Sequence, residues 1–117
     1  MYPIWQLADD ILARTGAFTY WIRRCIHDYG DAACINIMSV LAGAMAADSR
    51  LLVVEQILDN PPNNFSAWND LMILCFGGKE RTIADFEALA KGAGLKITGI
   101  FRSKTSPMGV IEMARIE

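Results

Sequence analysis

Four consecutive apolar residues, Leu51-Leu52-Val53-Val54, constrain this chain more than any other feature. The run lies in a segment from Ser49 to Leu58 and is followed by Asp59-Asn60-Pro61-Pro62-Asn63-Asn64, a loop by its turn chemistry. A continuous apolar strand of this kind is buried on both faces, and that happens in parallel sheets covered by helices. Phe18 to Ile26, rich in aromatic and β-branched residues, reads as a second buried strand, with His27-Asp28-Tyr29-Gly30 as its polar end.

Helical spacing fills the gaps between strands. Ile4, Leu7, Ala8, Ile11 and Leu12 predict a short amphipathic helix over 3–13, ended near Gly16. Asp31 is placed to cap a helix running to about Ala47, with Ile35, Met38, Leu41, Ala42 and Met45 on one face. Ser66 or Asn69 starts a helix through Leu71, Met72, Leu74 and Cys75, stopped by Gly77-Gly78. Thr82 caps another, with Ile83, Phe86, Leu89 and Ala90 inward, ended by Gly92 and Gly94. Ile97–Phe101 is a strand, Ser103–Met108 a turn, and Gly109–Ile116 a last strand that forms a hairpin. Strands alternating with helices predict an α/β fold, with a mostly parallel sheet, a C-terminal antiparallel hairpin and helices on the faces.

Composition narrows the function classes. The 117 residues suffice for one core, and 53% hydrophobic with 21% charged residues is globular. The apolar share is high for so short a chain, which implies a generous core or apolar surface awaiting a partner. The net charge is -2 and only Arg23-Arg24 are adjacent cations, which argues against nucleic-acid binding. The small-apolar stretch Ala32–Ala47 contains Asn36 and Ser39 and falls short of the roughly 20 residues of a membrane span. Asp9 and Asp10 stand where a signal peptide would be cationic. Cys25, Cys34 and Cys75 lack a CxxC spacing and read as reduced thiols, with no metal site expected, in a cytoplasmic protein.

In open α/β sheets ligands bind outside the carboxyl ends of the strands. His27, the only histidine, lies just past the first strand, Glu55 lies toward the end of the second, and Glu80 follows Gly77-Gly78 at the mouth of a helix. A histidine between two carboxylates is a general-base device. One ring nitrogen faces the substrate, while the other donates to a carboxylate that fixes the tautomer. Deprotonating a phenol of pKa ~10 with an imidazole of ~6.5 is uphill by roughly 3 to 4 units, a gap that nearby negative charge narrows. Each piece also has a plain structural reading: a satisfied strand-end histidine, a surface glutamate, a glycine helix stop, and a solvated charge run at Lys79-Glu80-Arg81. Gly92-Ala93-Gly94 follows a helix and precedes a strand, the reverse of a phosphate-cradling loop, and reads as a C-cap.

Three pieces in order resemble the catalytic half of class I S-adenosylmethionine-dependent O-methyltransferases of the plant and fungal small-molecule type. Arg23-Arg24-Cys25-Ile26-His27-Asp28-Tyr29 resembles that family's strand ending in His-Asp-Trp, with Tyr29 as the departure. Ser49-Arg50-Leu51-Leu52-Val53-Val54-Glu55 resembles the strand that follows. Asp70-Leu71-Met72 with Gly77-Gly78-Lys79-Glu80-Arg81-Thr82 resembles the helix and turn before the last helix. The resemblance implies a partial Rossmann-like methyltransferase sheet over residues 18–117, preceded by a lead-in over 1–17. It implies His27 as the general base, bracketed and oriented by Glu55 and Glu80. It places Asp28 and Met72 at the acceptor site and Arg23 near the cofactor. The implied cofactor is S-adenosylmethionine, and the implied partner a hydroxyl on a phenolic or polyketide-like small molecule.

The departures from the family are as specific. No Asp/Glu-x-Gly-x-Gly run occurs anywhere in the chain, so the glycine loop that would cradle the cofactor is missing. The N-terminal dimerisation domain of the family is missing too. The sequence therefore leaves three readings open. One is a catalytic-half module acting with a homodimer partner or a complementary methyltransferase chain. Another is a non-catalytic methyltransferase-like subunit that pairs through its open sheet edge. The last is a methyltransferase-like protein that catalyses a pericyclic or other non-methylating reaction.

Overall fold

A computed structural model describes residues 16–59, 64–75 and 77–116. The helix expected over 3–13 and the core of the Asp59–Asn64 loop lie outside the described residues. Strand β1 (Thr19–Arg23) leads through a single 3-10 turn at Ile26–Asp28 into helix α1 (Asp31–Ala44). Strand β2 (Arg50–Leu58), helix α2 (Asn64–Leu74) and a two-residue strand β3 (Arg81–Thr82) follow. Helix α3 (Ile83–Gly92) and the hairpin strands β4 (Leu95–Arg102) and β5 (Met108–Arg115) complete the order.

The α/β reading holds, with the sheet order β1-β2-β5-β4, but the pairing is less parallel than expected, because β5 inserts between β2 and β4 and only β1 with β2 is parallel along this path. β1 and β2 are parallel, from Thr19 opposite Arg50 to Arg23 opposite Val54. β5 is antiparallel to both of its neighbours, β2 and β4. Thus β1, β2 and β4 share one direction, and the return strand of the hairpin lies between β2 and β4. β3 adds a short parallel pairing at the end of β2, Ile57 with Arg81 and Leu58 with Thr82.

The period of two along β2 sets the layers. Leu51, Val53, Glu55 and Ile57 point into one face and are all buried. Tyr20 of β1 and Ile111 and Met113 of β5 continue that face across the register. Ile37, Met38 and Leu41 of α1 and Phe86, Leu89 and Ala90 of α3 pack in the same core. Glu55 is therefore a carboxylate on the core face of a central strand. α2 lies beside the carboxyl-terminal part of β2, where Asn69 Nδ2 donates to Gln56 Oε1 at 3.0 Å.

Several boundaries differ from the sequence reading, each for a local reason. β1 stops at Arg23 rather than Ile26, because Arg24 takes a left-handed φ of 49° that turns the chain out of the strand. His27 consequently sits on a 3-10 turn, not on a strand end. Gly30, not Asp31, is the N-cap of α1, and the Asp31 carboxylate is engaged elsewhere, by Arg81 and Lys79. α1 ends at Ala44, where Met45 becomes extended. Thr82 does cap α3, through a reciprocal capping box with Asp85. The three cysteines are free thiols, with Cys34 buried, Cys25 half-buried and Cys75 exposed, so Cys75 is no core residue. No helix among the described residues is long and apolar enough to cross a membrane.

Candidate active site

His27, Glu55 and Glu80 come from a turn, a central strand and the segment before β3, and they meet in the interior. Their relative exposures are 6%, 1% and 5%, too low for solvated surface groups. His27 Nδ1 lies 2.8 Å from Glu80 Oε1 and 3.7 Å from Glu55 Oε2. An ionised carboxylate only accepts, so a Glu80 anion at this distance takes its hydrogen bond from a proton on Nδ1; in the neutral ring of that tautomer the lone pair is on Nε2. Nε2 faces Asp28 Oδ1 at 3.6 Å, and the Asp28 side chain is half exposed. Nε2 therefore looks toward the solvent side of the cluster, and Nδ1 toward its interior.

Two further contacts fix the geometry. The Glu80 backbone N–H donates to Asp70 Oδ1 at 2.9 Å, so the end of α2 sets the position of Glu80. The Lys79 N–H donates to the His27 carbonyl at 2.8 Å, which ties the Gly77–Arg81 segment to the turn. Arg81 is 1% exposed, and its guanidinium donates to the Ile26 and Tyr29 carbonyls. The solvated-charge reading of Lys79-Glu80-Arg81 is thus wrong for Glu80 and Arg81. Charge runs read as solvent-facing on average, and this one is drawn inward by carbonyls and an imidazole some fifty positions away. A glycine pair ahead of the run was the one sequence signal that the backbone approaches something closely here.

Both carboxylate oxygens of Glu55 are buried without a hydrogen-bond partner. Burial pushes its carboxyl pKa up, the Glu80 charge pushes the same way, and His27 opposes both. The Cys25 and His27 backbone amides lie near enough to favour the anion, yet no donor reaches hydrogen-bonding geometry with either Glu55 oxygen. A carboxyl raised in the fold binds a proton the unfolded chain gives up near pH ~4.3. Its contribution to stability is full below that pH and declines as pH rises through the folded value. Glu55→Gln keeps the shape and removes the titration. It should raise Tm near pH 7 by about 4 °C or more, the shift that ~1 kcal/mol gives a domain of this size, and flatten the fall of Tm as pH rises above the ordinary carboxyl range. Parallel Tm-against-pH curves for variant and parent would show that Glu55 is ionised throughout. Asp31 has the opposite sign: its hydrogen bond to Arg81 lowers its pKa, so its contribution is lost as pH falls.

The same three donors lie within 4.8 Å of one another and could enclose a cation. In this arrangement the imidazole N–H already occupies the space between ring and carboxylate. Met72, expected at the acceptor site, is 43% exposed on α2, on an apolar stretch with Trp68 and Leu71. Arg23 ends β1 and lines a pocket of about 340 Å³ with Tyr20, Trp21, Ile22, Cys25 and the α1 residues Ile37 and Leu41. That pocket could take a flat apolar group such as a purine, but its lining holds no carboxylate for ribose hydroxyls.

Comparison with known proteins bears on this arrangement. A family model for the O-methyltransferase domain matches residues 8–96. The chain is 43% identical over 98 residues to methyltransferase pynC of Aspergillus niger, covering 84% of this chain and 27% of that protein. The structure of the mitomycin 7-O-methyltransferase MmcR superposes with a TM-score of 0.84 at 32% identity, over 92% of this chain and 32% of that one. OxaC in complex with SAH and oxaline gives 0.82 at 33% identity, over 87% of this chain and 26% of that one. The chain thus spans about a quarter to a third of the length of these relatives. With residues 8–96 matched and the sheet shared, the chain belongs to the O-methyltransferase domain family.

Proposed function

We propose that this chain is the base-bearing, C-terminal part of an S-adenosylmethionine-dependent O-methyltransferase acting on a hydroxyl of a phenolic or polyketide-like small molecule. The observation that carries the reading is the buried 2.8 Å contact between His27 Nδ1 and Glu80, which leaves Nε2 as the free base. Nε2 takes the acceptor hydroxyl proton, and Glu80 stabilises the imidazolium that results. Asp28, beside Nε2, orients the acceptor hydroxyl, and Met72 with its apolar neighbours on α2 offers a wall for an aromatic ring. The cofactor, when bound, supplies an electrophilic sulfonium methyl group. Relatives bound to SAH support that cofactor.

On this reading the cofactor site is only partly carried here; the lining of the Arg23 pocket, which holds no carboxylate, and the lack of an acidic glycine loop in the sequence support it. On this reading, residues 18–117 are the second half of the catalytic domain, and 1–17 lead into it. The remaining length of the relatives, in the same polypeptide or in a complementary chain or second copy, continues the sheet. β1 ends the sheet order, and Phe18 and Trp21 beside its open edge are 72% and 61% exposed. Calorimetric titration with SAH tests this division of labour. The folded 117-residue chain should give no micromolar binding, and binding should appear in a protein that carries the remaining length. Micromolar binding by the chain alone would locate a complete cofactor site here and overturn it.

A further inference from the structure

We propose that Arg81 is a positioning residue for His27: its buried guanidinium holds the backbone on both sides of the histidine and so sets where the imidazole points. The inference rests on the reading of His27 as the base. The turn that carries His27 is held locally by two 3.2 Å backbone bonds, from the Asp28 N–H to the Cys25 carbonyl and from the Tyr29 N–H to the Ile26 carbonyl, and by Cys34 Sγ on the Ile26 carbonyl at 3.1 Å. It is three residues long, its N-cap Cys25 makes no side-chain capping bond, and it follows the left-handed Arg24. Isolated 3-10 turns of this length have poor hydrogen-bond geometry and no propagation to support them.

The charged, bidentate part of the support comes from the planar fork of Arg81. Nη1 donates to the Ile26 carbonyl at 3.1 Å and Nη2 to the Tyr29 carbonyl at 2.9 Å, one residue before and two residues after His27. Nε and Nη2 reach Asp31 Oδ1 at 3.2 and 2.9 Å, which balances the buried charge. A third carbonyl of the turn, that of His27 itself, is taken by the Lys79 N–H. Arg81 stands one residue from Glu80, so one short segment supplies the carboxylate that binds the imidazole ring and the fork that fixes the turn behind it. Burying a charge on backbone carbonyls is costly, and a bidentate geometry that a lysine ammonium cannot reproduce is what such a cost sustains.

The chain has one histidine, so its imidazole nitrogen signals in an untagged protein are assigned by composition. Long-range proton–nitrogen NMR of the parent should show one dominant ring tautomer, protonated at Nδ1. In Arg81→Lys the two ring nitrogens should move toward averaged shifts although the positive charge is kept. In the methyltransferase that carries this chain, kcat should fall about tenfold or more with KM changed less than about threefold, as misplacement of a reacting group does. Asp31→Asn, which removes only the half-exposed anchor of the fork, should shift the ring signals in the same direction by less. Folded Arg81→Lys and Asp31→Asn variants with unchanged imidazole signals would overturn the proposal; if Arg81→Lys fails to fold, Asp31→Asn alone decides it. If the ring signals move while His27→Gln retains methyl transfer, the positioning stands and the base assignment is what fails.

Discussion

Replacing His27 by Gln should lower methyl transfer to a phenolic acceptor by ~10²- to 10⁴-fold near pH 7, the range that loss of a general base produces. Gln can donate to Glu80 in place of the Nδ1 proton, but it offers no lone pair that takes a proton at the Nε2 position. The rate profile should change shape as well as height. A phenol with pKa ~10 ionises by itself as pH rises, so the variant rate should climb toward the parent rate at alkaline pH. A loss that is constant with pH would point to lost acceptor binding. A retained rate near neutrality would remove His27 from the chemistry. Because the substitution also alters a buried cluster with three unpartnered carboxylate oxygens, rates belong well below the Tm of the variant.

How much of this was legible in the sequence depends on which interactions are local. The run Leu51–Val54 marks β2 directly, since an apolar run is a property of neighbouring residues, but burial alternates along it: Leu51 and Val53 are buried and Leu52 and Val54 half-buried, so the expected burial on both faces holds for one face. The Thr82–Asp85 capping box is local for the same reason. The hairpin makes β4 and β5 neighbours, but nothing in the turn says that β5 also pairs with β2; that pairing, from Leu51 opposite Met113 to Gln56 opposite Met108, joins segments far apart in the chain. His27, Glu55 and Glu80 could be grouped only through the family resemblance, because their contact spans 53 positions from His27 to Glu80. Arg81 had no local signal at all. A guanidinium beside Lys and Glu looks solvated, and its burial is decided by carbonyls presented by the Ile26–Tyr29 turn. Helix starts favour aspartate at the cap, which is where the sequence puts Asp31, but the fork of Arg81 claims it instead.

Gly78→Ala should be among the most damaging single-methyl changes in the chain, destabilising it by about 3 kcal/mol, the upper end of the overpacking range. A Cβ at Gly78 would overlap the His27 carbonyl oxygen and lie 2.8 Å from Asp28 Cα and 2.9 Å from the His27 carbonyl carbon. All three are backbone atoms, so no rotamer change relieves the clash. The neighbouring Gly77 separates this cause from ordinary glycine strain. Gly77 has a left-handed φ of 82° and nothing within 4 Å of an added Cβ, so Gly77→Ala should cost only the conformational penalty of about 1–2 kcal/mol. The two variants therefore differ in kind. Gly77→Ala leaves the turn where it is and keeps the ring signals of His27. Gly78→Ala must part the segment from the turn, break the Lys79 N–H bond to His27 and draw Glu80 away from the imidazole. Urea unfolding of the pair is the measurement. A Gly78→Ala protein within ~0.5 kcal/mol of the parent, a change typical of inert surface sites, would mean that the segment does not press on the histidine turn as described. A larger loss in Gly78→Ala than in Gly77→Ala, with the His27 signals disturbed only in the former, would show that the glycine pair is there for close approach as well as for the turn.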